Sequence, residues 1–133
     1  MQETTIFKEI LYKKCWRAWD GILPAIFFEL GEKKDDRTGI YSLCLDFCPW
    51  QISKEEKIIC NSKSNKEEIL SSLKLFEEKT ITKIETNNKD QLIFTFENIV
   101  LHTYLNSSKD NFYILTPQGE VSFSKKTLIK IEK

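Results

Sequence analysis

The stretch from Ile10 to Leu30, ILYKKCWRAWDGILPAIFFEL, lies without a gap over Phe76 to Phe96, FEEKTITKIETNNKDQLIFTF, when the chain is shifted by 66 residues. Under that shift Lys13 meets Lys79, Cys15 meets Ile81, Arg17 meets Lys83, Ala18 meets Ile84, Ile26 meets Leu92, Phe28 meets Phe94 and Leu30 meets Phe96. Identities are few, but apolar positions fall on apolar ones, as two copies of one buried strand pair require. The pattern predicts one domain made by internal duplication, with copies at about 1–63 and 64–133.

Outward from the first copy, residues 3–12 place Ile6, Phe7, Ile10 and Leu11 at helical spacing behind threonines that can cap. KCWRAWD (14–20) then reads as a strand, Asp20-Gly21 as a turn, and ILPAIFFELGE as the returning strand, with Pro24 at its start or on an edge. After the polar GEKKDDRTG, the run TGIYSLCLDFCPWQI reads as one strand. It sets Tyr41, Leu43, Leu45 and Phe47 on the core face against Ser42, Cys44, Asp46 and Cys48. EKIICN (56–61) is a short fourth strand.

The second copy opens with the clearest helix, SNKEEILSSLKLFEEK. Ser64 or Asn65 caps it, Glu67 and Glu68 complement the dipole, and Ile69, Leu70, Leu73 and Phe76 form the buried stripe. Strands follow at 80–86, 91–97, 99–105, 111–116, 120–124 and 127–132, separated by turn signals that include Pro117-Gln118-Gly119. The expected class is α+β: two similar helix-plus-sheet halves forming an antiparallel meander of eight or more strands, with two helices.

Composition narrows the function. The 133 residues are 41% apolar and 30% charged, and 20 basic residues balance 20 acidic ones, ten against ten on either side of Lys63. Zero net charge and only two arginines, Arg17 and Arg37, argue against nucleic-acid binding, which needs excess positive charge to displace counterions from phosphates. No run has the length of a membrane span and the amino terminus lacks a signal-type apolar core, so a cytoplasmic protein without membrane contact is expected. The bias toward Lys, Ile and Asn reads as an AT-rich bacterial genome.

Catalytic and metal signatures are weak. Cys44 and Cys48 share a strand face, with Cys60 or His102 as further conceivable ligands, but four residues of strand hold two sulfurs over ~13 Å apart. Four buried thiols (Cys15, Cys44, Cys48, Cys60), no metal and no cofactor are the expectation. His102 is the only histidine, and none of the four thiols lies at a helix start or glycine-rich elbow that would activate it. The remaining polar candidates, Glu29, Asp46 and His102, define an alternative: a pocket between the halves serving a ligand or an enzyme. Against these stand the tryptophans. Trp16, Trp19 and Trp50 all fall in the first half, near Arg17 and Asp20, and the composition matches an interface hot spot. Where the first copy has Trp16 and Trp19 the second has Thr82 and Glu85, a divergence on a non-core face of the kind a partner site produces.

At GILPAIFFELG, LCLDFCPWQI and NFYILTPQGEV the chain resembles a family of small bacterial proteins, some of which serve as immunity partners of toxins. The resemblance implies a non-catalytic binder of a protein target and transfers no functional residue. Immunity proteins against nucleases tend to be acidic, and a net charge of zero departs from that pattern. The expected function is therefore a cytoplasmic protein-binding module acting on a toxin or another protein through Trp16, Arg17, Trp19, Asp20 and Trp50 or through a strand edge. A structural homodimer built by edge pairing is the third possibility.

Overall fold

The computed structural model describes residues 3–87 and 90–127. Along the chain these form α1 (Glu3–Ile10), β1 (Lys14–Asp20), β2 (Ile26–Lys33), β3 (Gly39–Phe47), β4 (Trp50–Lys54), β5 (Lys57–Asn61), α2 (Lys66–Lys74), β6 (Lys79–Asn87), β7 (Gln91–Phe96), β8 (Ile99–Tyr104), β9 (Asn111–Thr116) and β10 (Gly119–Ser124). A third short helical segment covers 125–127. The fold is α+β and mainly β: one antiparallel sheet in the order β10-β9-β3-β2-β1-β6-β7-β8-β4-β5.

Local chemistry explains both longer helices. Asn65 caps α2 reciprocally: its Oδ1 accepts from Glu68 N at 2.9 Å while its Nδ2 donates to Glu68 Oε1 at 2.7 Å. Ile69, Leu73 and Phe76 then turn one stripe into the core. In α1 the buried pair is Ile6 and Ile10, and the chain leaves the helix at Tyr12 with φ of 69°.

Two strand pairs share one register. Cys15 faces Leu30, Arg17 faces Glu29 and Ala18 faces Phe28 across β1–β2, with a bulge between Cys15 and Arg17. Ile81 faces Phe96, Lys83 faces Thr95 and Ile84 faces Phe94 across β6–β7, with a bulge between Ile81 and Lys83. Each of these positions is 66 residues from its counterpart. The seam between β1 and β6 repeats the relation: Tyr12 N donates to Ile81 O and Glu78 N donates to Cys15 O, both at 2.7 Å, and Glu78 has φ of 70° where Tyr12 has 69°.

Beyond these pairs the hairpins cross over. β4–β5 adds to β8, with Ile52 opposite Leu101, while β9–β10 adds to β3, with Ile114 opposite Leu43. The last hairpin of each half thus extends the strands of the other. The sheet also bends over one core, since Phe94 of β7 meets Phe112 of β9 edge to face at 6.1 Å although four strands lie between them. Phe28, Phe76 and Phe96 form a ring triad at 4.8, 5.0 and 5.8 Å, and Phe7 and Phe112 stack on either side of Phe123 at 5.4 and 5.0 Å.

Several expectations are corrected. The single strand expected through TGIYSLCLDFCPWQI is two, β3 and β4, broken where Pro49 has no amide to donate. Phe47, expected in the core, is 63% exposed because the β3–β9 register shifts after Cys44. As a regular strand, KCWRAWD would point Trp16 and Trp19 to opposite faces, but the β1 bulge adds one residue and puts Cys15 and Ala18 inward. Three helical segments stand where two were expected. Of the strand expected at 127–132, residue 127 is helical and the rest lies outside the described residues.

The β4–β5 hairpin turns through Glu55 and Glu56, both left-handed with φ of 51° and 69°, between the paired Lys54 and Lys57. A two-residue turn of this kind selects Asn-Gly, and side chains with ordinary Cβ sterics cost roughly 1–2 kcal/mol there. Glu55→Asn with Glu56→Gly is expected to stabilise the protein by about 1–2 kcal/mol, read as a higher urea midpoint at unchanged slope.

Candidate functional site

The bulge at Trp16 aims Arg17 and Trp19 at the sheet face opposite the core, and strand pairing builds two rows there. One runs Trp19, Phe27, Cys44, Tyr113, and the other Arg17, Glu29, Ser42, Leu115. The buried stripes of α1 and α2 belong to the core, on the other side of the sheet.

Glu29 organises this face. It is 1% exposed, although alternation along β2 points it away from the core. Its Oε2 accepts from Trp19 Nε1 at 2.7 Å, and its Oε1 accepts from Gly39 N at 3.1 Å and from the Ser42 hydroxyl. A buried carboxylate is tolerable only when donors replace its water, and these three do so. Gly39 cannot carry a side chain: a Cβ there would lie 2.5 Å from Leu30 O.

Above the carboxylate, the Trp19 ring stacks on Phe27 at 4.4 Å with a 26° tilt, and the Arg17 guanidinium carbon lies 4.6 Å from the Trp19 centroid. Arg17 Nη1 donates to Arg37 O at 2.8 Å, which ties β1 to the loop before β3. In that loop Asp35 accepts from Arg37 N, Thr38 N and the Thr38 hydroxyl, and these bonds, the Arg37 amide first, hold its carboxyl below the usual carboxylate range. Lys33 Nζ sits 4.8 Å from the Trp16 centroid, and the buried Trp16 Nε1 has no hydrogen-bond partner among the described residues. Beside the cluster runs a half-open groove of about 490 Å³ between Lys34, Thr38, Ile40, Ser42, Leu115 and Pro117.

The expected partner residues divide. Trp16, Arg17 and Trp19 meet on or beside this face, and Asp20 ends β1 in register with Ile26. Trp50 does not belong with them. It is 1% exposed in the core, with Nε1 donating to Pro24 O at 2.8 Å, because alternation along β4 turns it inward.

The alternative pocket does not form. Glu29 faces Ser42, and Asp46 lies four residues further along β3, roughly 13 Å away by strand rise. There it accepts from the Tyr113 hydroxyl at 3.0 Å. His102 stands on β8, with Nε2 3.3 Å from Ser53 Oγ and Nδ1 3.4 Å from Gln91 Oε1, and burial pushes its pKa below the ordinary 6.5. All four cysteines are free and buried. Burial raises Cys15, Cys44 and Cys48 to about 12 and Cys60 in the same direction, which keeps them as thiols near neutrality. Among the described residues no group of three or more His, Cys, Asp or Glu could hold a metal ion, and no helix is long and apolar enough to cross a membrane.

Sequence reading missed Tyr113, Leu115, Ser42 and Gly39, because their place beside Trp19 depends on which hairpin pairs with β3. Comparison with protein-family models, curated proteins and solved structures returned no match. Glu29→Leu leaves two buried donors and one part-buried donor without an acceptor and is expected to cost on the order of 3 kcal/mol. Glu29→Gln, which keeps one acceptor oxygen, is expected to cost less. Denaturant melts of both variants check the order, and equal losses would refute the role given to Glu29.

Proposed function

We propose that this chain is a non-catalytic protein-binding module of a bacterial cytoplasm, an immunity protein that neutralises a toxin through the β1–β2–β3–β9 face. The observation that carries the reading is Trp19, held between Arg17 and Phe27 and hydrogen-bonded from below by Glu29. A half-buried tryptophan already locked in one rotamer loses little entropy when a partner covers it, and such rings dominate binding energies. Phe47 and Leu115, 63% and 43% exposed, add apolar surface on β3 and β9. The ligand-or-enzyme alternative loses support because Glu29, Asp46 and His102 stand apart.

The reading includes an internal duplication, with copies at about 1–63 and 64–133. Support comes from the common 66-residue offset of the β1–β2 and β6–β7 registers, both bulges included, and from the matched seam bonds of Tyr12 and Glu78. Core positions keep their apolar character under the offset, while the outer face changes at two of its positions: Trp19 stands against Glu85, and Glu29 against Thr95. Two copies that share a core and differ on one face have been selected differently on that face.

Two experiments test this. Where a reading frame beside the one for this chain encodes a secreted toxin, co-expression of the two is expected to protect cells and yield a stable complex; a neighbourhood without such a frame counts against the toxin assignment. Trp19→Ala is then expected to weaken that complex by roughly 30-fold or more, about 2 kcal/mol, with the circular dichroism spectrum retained. Full neutralisation by a folded Trp19→Ala protein sinks the reading. For the duplication, a circular permutant opened between Lys63 and Ser64, with a short linker joining Lys133 to Met1, is expected to fold, because Phe7 already stacks on Phe123 where α1 meets β10. An unfolded permutant counts against two equivalent halves.

A further inference from the structure

Register pairs Arg17 with Lys83 and Trp19 with Glu85 as equivalent positions in the two halves. In the second half the cation is neutralised at home, since Lys83 Nζ lies 3.3 Å from Glu85 Oε2. In the first half a tryptophan stands where that counterion would be. Among the described residues no carboxylate oxygen comes within 4.0 Å of Arg17 or Arg37, the only two arginines of a chain with 20 acidic residues. Glu29 lies across the ladder from Arg17, but its oxygens are turned to Trp19, Gly39 and Ser42. Asp35 is likewise engaged by its own loop.

One guanidinium N–H of Arg17 is tied to Arg37 O and its central carbon lies over the Trp19 indole. The side chain is therefore oriented while the rest of its fork stays available, a state that suits a planar, doubly accepting carboxylate. Lys34, at the lip of the adjoining groove, adds a second cation, and Ile40, Leu115 and Pro117 give the groove apolar walls. Apolar walls beside oriented cations fit a polypeptide better than a phosphate backbone, which offers little for such walls to bury.

We infer that the docking face takes an acidic peptide segment of the partner, a carboxylate seated on Arg17 and an apolar neighbour in the groove between Ile40 and Leu115. This rests on the binding role proposed above and names the chemistry of the partner at that same face. The equivalent face of the second half, where Lys83 is already paired, does not share the property.

The test is selection of a displayed random peptide library on the immobilised whole chain, followed by fluorescence anisotropy with the recovered peptides made synthetically. The expected result is sequences rich in Asp and Glu with interspersed apolar residues. Their affinity should fall about tenfold with Arg17→Gln, fall with added salt, drop with Leu115→Ser, and stay unchanged with Lys83→Gln. Arg17→Gln alters a half-buried side chain outside the core, and circular dichroism reports that it has folded. Recovery of neutral or basic peptides that still depend on Trp19 and Leu115 overturns the acidic assignment and leaves the docking face standing. Peptides indifferent to every substitution on this face overturn both. Competition by a short single-stranded oligonucleotide at lower concentration than the acidic peptide also overturns the assignment, in favour of phosphate.

Discussion

Everything in this fold is hung on the seam where β1 meets β6. Only a few residues pair there, yet two backbone bonds of 2.7 Å, from Tyr12 to Ile81 and from Glu78 to Cys15, join the two five-stranded groups of the sheet. Both donors sit just after a helical stretch in left-handed conformation, a cost of roughly 1–2 kcal/mol each for a residue with a Cβ. The structure sustains that cost because the turn drops each helix onto the core side of its own strand pair and brings Phe28, Phe76 and Phe96 into one cluster. The surface ion pair between Lys14 and Glu78, largely exposed at 3.2 Å, adds little.

With the core shared between the two halves, chemistry is left to the outer faces, and these differ in kind. The second-half face carries Lys83 paired with Glu85 and a histidine held between serine and glutamine. The first-half face carries a buried carboxylate whose three donors position an aromatic stack under an arginine. Removing water from Glu29 is expensive, and the protein meets the expense with hydrogen bonds that also fix Trp19 and the loop before β3. A residue that looks like an ordinary outward-facing strand acid is in effect the anchor of the face.

Period-two alternation made most strands legible, with β7 the clearest: Leu92, Phe94 and Phe96 are buried as the pattern requires. The α2 cap was legible too, because an Asn-x-x-Glu capping pair is a local event. Trp50 was not, since a tryptophan at the start of a strand reads the same whether its ring faces water or core. The β1 bulge was equally silent, as one extra residue leaves no mark in composition but reverses which side Trp19 takes. The long run through Tyr41 hid its break because apolar alternation continues past Pro49 although the backbone does not.

The sequence by itself determined the alternating apolar pattern, the start of α2, most of the strands and the burial of the four cysteines. These follow from propensity and periodicity, which act over a few residues. Tertiary structure alone decided that β4–β5 crosses to β8 and β9–β10 to β3, and with that which side chains surround Trp19. The reason is energetic: the hairpins present similar apolar edges to either half, so partner choice rests on the closure of one common core, a quantity that exists only when the whole chain is folded.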